Sequence, residues 1–185
     1  MKQNKLNIII GCMFSGKTSE LVRECSRRLH NKQKVLAINY IDDNRYTEED
    51  YIVSHNLEKI KCIKVKYLKE VPQEEIDKND FIFIDEGQFF TDLKEYVTKW
   101  CDEEKKNITI VGLDGDFKRE PFGQILELIP KCDNIIKLKA LCALCNDDTE
   151  GLFTCRLTNE SEQVSIGVEN YMPVCRYHYL EKTTK

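Results

Sequence analysis

The chain has 185 residues, of which 41% are hydrophobic and 32% charged, with a formal net charge of −4. That composition supports a packed core and argues against disorder. No apolar run approaches the roughly 18 residues of a membrane span, and no basic segment leads into an apolar one, so a cytoplasmic protein is expected with no membrane partner. Lys and Arg alternate with Asp and Glu instead of forming a stripe, which speaks against polymeric nucleic acid as a partner.

The apolar run at 6–10 predicts a buried strand, and it leads directly into Gly11-Cys12-Met13-Phe14-Ser15-Gly16-Lys17-Thr18. This is the spacing G-x-x-x-x-G-K-[ST] of a phosphate-binding loop. Its backbone N–H groups turn inward on phosphate oxygens, its lysine reaches the β- and γ-phosphates, and its hydroxyl residue ligates Mg²⁺. Residues 19–30 follow with Leu21, Val22, Cys25 and Leu29 on one helical face. Strand, glycine loop and helix therefore come in the order a nucleotide site needs, and ATP or GTP is the implied ligand.

Residues 35–38 read as a second buried strand, broken at Asp42-Asp43-Asn44-Arg45. Arg45 lies in the irregular stretch after a strand, where ligands of α/β proteins gather, and is a candidate for phosphate or substrate contact. Residues 61–65 alternate like a strand, and Pro72 opens a short helix reaching Ile76. Four apolar residues, Phe81-Ile82-Phe83-Ile84, then end in Asp85-Glu86. Asp85 is expected beside the phosphate loop, holding the Mg²⁺ shell, with Glu86 one residue further into the cleft as proton acceptor. Residues 93–105 predict a helix through Leu93, Tyr96, Val97, Trp100 and Cys101, and 108–111 another strand, with 135–138 closing the series.

Strands alternating with helices predict an α/β fold: a P-loop NTPase of the RecA-like kind, its mostly parallel sheet flanked by helices. Phe89-Phe90, Leu113 to Phe117 and Pro121-Phe122-Gly123 follow strand ends, where aromatic groups wall flat pockets.

Past Lys139 the helical period disappears, which divides the chain into 1–139 and 140–185. Nine cysteines are an odd number with no secretory leader, which favours reduced thiols and metal ligation over a disulfide framework. Cys142 and Cys145, then Cys175 and His178, form two pairs at two-residue gaps. Such a set suits tetrahedral Zn²⁺, and because all four positions are ligand types the zinc is structural, stapling a small β module with a long loop. Short β-like runs are expected at 152–157 and 163–168. Cys12, Cys25, Cys62, Cys101, Cys132 and Cys155 remain as small apolar residues or spare thiols, and His30 and His55 have no evident partner. Three functions stand open on these residues: a phosphotransferase, a P-loop ATPase whose zinc module binds nucleic acid, or a nucleotide-binding regulator without catalysis.

Taken in order, the P-loop, Asp43-Asn44-Arg45, Asp85-Glu86-Gly87-Gln88-Phe89-Phe90, Gly112-Leu113-Asp114-Gly115-Asp116-Phe117, Pro121-Phe122-Gly123 and the two cysteine-based pairs resemble the motifs of the type II thymidine kinases. The resemblance covers nearly the whole chain. It implies transfer of the γ-phosphoryl group of ATP to the 5′-hydroxyl of thymidine in a homotetramer. It further implies that Gly11 to Thr18, Asp43, Asn44, Arg45, Asp85 and Gln88 hold the donor, Thr18 and Asp85 the Mg²⁺, and that Glu86 takes the proton with Lys17 and Arg45 assisting. A C-terminal lasso, here Gln163, Val164, Ser165, Ile166 and Gly167, closes over the base. Met13, Phe89, Leu113, Phe117, Phe122 and Tyr171 then wall it. Cys12 stands where the family often has proline, and His178 where it often has a fourth cysteine.

Overall fold

A computed structural model describes residues 4–43, 50–54, 57–158, 163 and 170–183. In chain order the elements are β1 (Leu6–Gly11), α1 (Lys17–His30), β2 (Val35–Tyr40), β3 (Tyr51–Val53), β4 (Lys59–Lys61), β5 (Ile63–Val65), α2 (Gln73–Lys78), β6 (Phe81–Ile84), α3 (Leu93–Thr98) and β7 (Asn107–Gly112). Then come β8 (Asn134–Leu138), β9 (Ala140–Leu141), β10 (Glu150–Gly151), β11 (Phe153–Arg156), β12 (Tyr171–Val174) and α4 (Arg176–Thr183).

Six strands form the central sheet in the order β5-β2-β6-β7-β1-β8, every pairing parallel. Parallel strands are covered on both faces, which is why these segments read as continuous apolar runs. Side-chain alternation divides them between two cores. Ile9, Ala37, Phe83 and Val111 pack with Leu21, Val22 and Cys25 of α1 on one face. Ile8, Ile10, Ile38, Ile82, Ile84, Ile108 and Ile110 pack with Phe90, Leu93, Val97 and Trp100 on the other. The α/β expectation is met.

Three local readings change. The helix expected over 93–105 is α-helical only to Thr98 and continues as a π-helical turn, Lys99–Glu103, which keeps Trp100 and Cys101 in the core. The strand expected at 61–65 is two strands, because β4 pairs antiparallel with β3 while β5 pairs parallel with β2. A 3₁₀ segment at Ile125–Lys131, carrying Pro130, had no periodic signal; it is held by the burial of Ile125 and Leu128.

Beyond β8, β9 pairs with β10 and β11 with β12, both antiparallel. Cys142, Cys155, Val174 and Tyr179 are buried together there, with Phe153 and Met172 against them. The expected run at 152–157 is β11, whereas that at 163–168 lies outside the described residues apart from Gln163. Helix α4 was not expected, since only Tyr179 of its residues is buried and its pattern is weak. Among the described residues no helix is long and apolar enough to cross a membrane.

The spare thiols are largely core residues. Cys25 and Cys62 are buried beside α1, and burial pushes both thiols up, that of Cys62 to about 12. They behave as small hydrophobes. Phe90, fully buried, belongs to the core and not to a pocket. Phe90→Ala is expected to lower unfolding free energy by about 3–5 kcal/mol in urea titration; a loss below about 1 kcal/mol would remove it from the core.

Candidate functional site

Parallel pairing places the carboxyl ends of β1, β2, β6 and β7 along one edge of the sheet. Gly11 to Thr18 bridge β1 and α1 there, with Gly11 at φ 153° and Gly16 at φ 82°. A Cβ at Gly11 would collide with the Leu138 carbonyl, so the tight exit from β1 requires glycine. Ser15 Oγ donates to the Cys12 carbonyl at 2.8 Å, and Lys17 Nζ donates to the same oxygen at 2.7 Å. The loop is thus wound around one carbonyl, with the Lys17 ammonium held over it. Thr18 lies in the first turn of α1, where the helix N-terminus favours anions.

Asp85 and Glu86 leave β6 buried, with 1% and 7% of their surface exposed. Asp85 and the phosphate loop leave the same sheet edge from strands two positions apart, because β7 runs between β6 and β1. Two strand spacings, about 10 Å, separate those strands, and the intervening one ends in Gly112, without a side chain. Asp85 Oδ1 accepts from the Glu86 N–H at 3.0 Å. Glu86 itself is left-handed, φ 52° and ψ 38°, a conformation that is costly for a residue with a Cβ. Its Oε2 accepts from Gln88 Nε2 at 2.5 Å, and Gln88 Oε1 accepts from the Leu113 N–H at 3.0 Å.

At the end of β2, Asp43 is tied down twice. Asn39 Nδ2 donates to its carboxylate at 2.8 Å, and Lys64 Nζ to its carbonyl at 3.1 Å. Asn44 and Arg45 lie outside the described residues, as do Val164, Ser165, Ile166 and Gly167.

The aromatic groups fall into two sets of contacts. Phe89 meets Tyr40 at 5.1 Å and Phe122 edge-on at 5.5 Å. Phe117 carries the Arg156 guanidinium 3.7 Å above its ring. Arg156 also donates to the Tyr171 hydroxyl at 2.6 Å and the Gln163 carbonyl at 3.1 Å, while Gln163 Nε2 donates to Asp116 at 2.9 Å. Gln163, Tyr171 and Phe117 are therefore brought together by Arg156, which had no motif to betray it.

The C-terminal module is fastened to the phosphate loop. Cys12 Sγ donates to the Gly151 carbonyl at 3.2 Å, and the Met13 N–H donates to Thr154 Oγ1 at 3.0 Å. Tyr179 adds a third tie from α4, donating to the Phe117 carbonyl at 2.7 Å. A cavity of about 200 Å³ lies at this junction, lined by Cys12, Asp114, Arg119, Lys137, Phe153 and Thr154 among others. Of the sequence-predicted site residues only Cys12 lines it.

Cys142, Cys145, Cys175 and His178 converge, with ligand atoms within 4.8 Å of one another. His178 Nδ1 is 3.5, 3.4 and 3.4 Å from the sulfurs of Cys142, Cys145 and Cys175, and the last two sulfurs are 3.8 Å apart. Bond lengths of about 2.3 Å to sulfur and 2.0–2.1 Å to nitrogen around a tetrahedral zinc give edges of about 3.6 and 3.8 Å. The cluster fits such an ion. At Cys142, burial alone would raise the thiol, but the N–H groups of Cys175 and Leu144 with His178 outweigh it and hold it at about 6. Burial, with Cys142 and Cys175 beside it, lifts Cys145 to about 11.

Residues 4–179 match the family model described as thymidine kinase. The chain is 39% identical to a thymidine kinase of Oryza sativa subsp. japonica over 183 residues, covering 96% of this chain and 66% of that protein. It is 36% identical to the cytosolic thymidine kinase of Homo sapiens (98% of this chain, 76% of the other) and 36% identical to the thymidine kinase of Variola virus (98% and 99%). Matched over residues 4–179, and at more than 30% identity to relatives covered to three quarters or more, the chain belongs to the thymidine kinase family.

Proposed function

We propose that this chain transfers the γ-phosphoryl group of ATP to the 5′-hydroxyl of thymidine, giving thymidine monophosphate and ADP. The observation that carries the reading is the fastening of the C-terminal module to the phosphate loop through Cys12 and Met13, because it sets an acceptor pocket against a donor loop. The 5′-oxygen attacks the γ-phosphorus, the bond to the β-phosphate oxygen breaks, and the hydroxyl proton passes to Glu86. Gly11 to Thr18 cradle the donor phosphates, with Lys17 offsetting their charge. Thr18 and Asp85 would hold Mg²⁺, which would supply positive charge to the phosphate oxygens. Asp43 with Asn44 and Arg45 completes the donor side, Arg45 meeting the charge that develops on the transferring group.

On the acceptor side Met13, Phe89, Leu113, Phe117, Phe122 and Tyr171 form a low-polarity slot for a flat methylated ring. The backbone of Gln163, Val164, Ser165, Ile166 and Gly167 reads the pyrimidine edge. Reading by fixed backbone groups rejects cytosine, which exchanges a donor for an acceptor and leaves buried groups unpaired. Residues 140–185 act as the acceptor domain, closed by structural Zn²⁺ on Cys142, Cys145, Cys175 and His178, and 1–139 as the donor domain. We further propose a cytoplasmic homotetramer with no polymeric nucleic acid partner, since the chain is acidic and lacks a basic stripe.

A coupled assay with ATP and Mg²⁺ is expected to show ADP release with thymidine and little with deoxycytidine; preference for deoxycytidine or a purine nucleoside would overturn the assignment. Glu86→Gln should bind ATP normally and lose about 10²- to 10⁴-fold in kcat, and near-normal kcat would remove Glu86 as the base. Cys145→Ser, or chelation, should raise KM for thymidine well above its effect on KM for ATP. Equal rises would indicate general unfolding instead of loss of the acceptor domain.

A further inference from the structure

Gln88 falls within a motif that the family resemblance places on the donor nucleotide, yet its side chain is spent inside the protein. It is 3% exposed. Its amide nitrogen donates to the Glu86 carboxylate at 2.5 Å and its amide oxygen accepts from the Leu113 N–H at 3.0 Å. The orientation of the amide is fixed by chemistry alone, because a carboxylate only accepts and a backbone N–H only donates.

The surroundings are shaped for this side chain. A Cβ at Gly112 would collide with Gln88 Oε1, and a Cβ at Gly123, which is left-handed at φ +62°, would collide with the Gln88 backbone. Glycines from two separate segments thus make room for one buried amide. Glu86 meanwhile has a left-handed backbone at φ 52°, a conformation that is costly for a residue with a Cβ. Leu113, at the other end of the amide, opens the segment that runs through Phe117 to Phe122.

We infer that Gln88 is a positioning residue, which locks the Glu86 carboxylate in register with the Leu113 wall of the acceptor pocket and does not touch the donor. A base works only where its carboxylate lies within hydrogen-bond reach of the proton it removes. A single amide spanning base and wall makes that distance a property of the protein and not of the substrate. The inference rests on Glu86 being the base.

The test is a double-mutant cycle of Gln88→Met with Glu86→Gln, read as kcat and as separate KM values for ATP and thymidine, with thermal melting to confirm folding. Methionine fills the volume without either hydrogen bond. Gln88→Met is expected to lower kcat by about 10- to 100-fold with both KM values within about threefold of wild type. In the Glu86→Gln background it should change the residual rate by less than about twofold, because its effect passes through a carboxylate no longer present. Gln88→Asn, one methylene too short to span both partners, should repeat the kcat loss, and it carries the test should methionine prevent folding. A rise in KM for ATP with kcat retained would put Gln88 on the donor and overturn the inference. Equal losses in both backgrounds would overturn it too, by reducing Gln88 to general structural support. Failure of the wild type to use thymidine, or full turnover by Glu86→Gln alone, would instead refute the function proposed above, before Gln88 is altered.

Discussion

The common direction of the six central strands is the constraint on which everything else depends. Because all five pairings are parallel, every strand delivers its carboxyl end to the same edge, and a loop that leaves there faces the loops of its neighbours. β1 delivers the phosphate loop, β2 Asp43, β6 the Asp85 and Glu86 pair, and β7 the Leu113 segment. One reversed strand would send its functional residue to the opposite side of the molecule. Burial enforces the arrangement: Ile8, Ile38, Ile82, Ile84, Ile108 and Ile110 are all completely enclosed, so a shift by one residue would turn a row of isoleucines onto the wrong face.

Within that edge, β7 separates β1 from β6, and Gly112 at its end makes room for the buried Gln88 amide and Ile125. The proposed acceptor side is a unit with a small core of its own. Its hydrophobic cluster has only four buried members, Cys142, Cys155, Val174 and Tyr179, among the described residues. The metal-ligand cluster supplies what that core lacks. The module's ties to Cys12, Met13 and Phe117 hold it against the phosphate loop, as the proposed two-substrate site requires. Cys12 gains a reason here. Where proline would give only a rigid turn, a thiol reaches across to the Gly151 carbonyl.

The phosphate loop, the acidic pair and the two ligand pairs were legible in the sequence because each is a local pattern whose chemistry dictates its spacing. Continuous apolar runs identified β1, β2, β6 and β7 for the same reason. What could not be read were features set by partners far along the chain. Arg156 holds Phe117, Tyr171 and Gln163 together across 39, 15 and 7 positions, yet it looks like any surface arginine. Thr154 is an ordinary strand threonine until it meets Met13. The π-helical turn at Lys99–Glu103 follows from the need to seat Trp100 and Cys101, which a helical period alone does not reveal. Helix α4 escaped because its apolar face is narrow and its most important residue, His178, reads as a ligand in a loop.

The central claim is that donor and acceptor occupy one continuous site at a single sheet edge. It is tested most directly by calorimetric titration with a molecule in which adenosine and thymidine are joined through their 5′ positions by a phosphate chain. Simultaneous occupation of both halves converts the second contact into an intramolecular one, so the joined molecule should bind at least about 100-fold more tightly than ATP or thymidine alone. Affinity no better than that of its adenosine half would contradict the account.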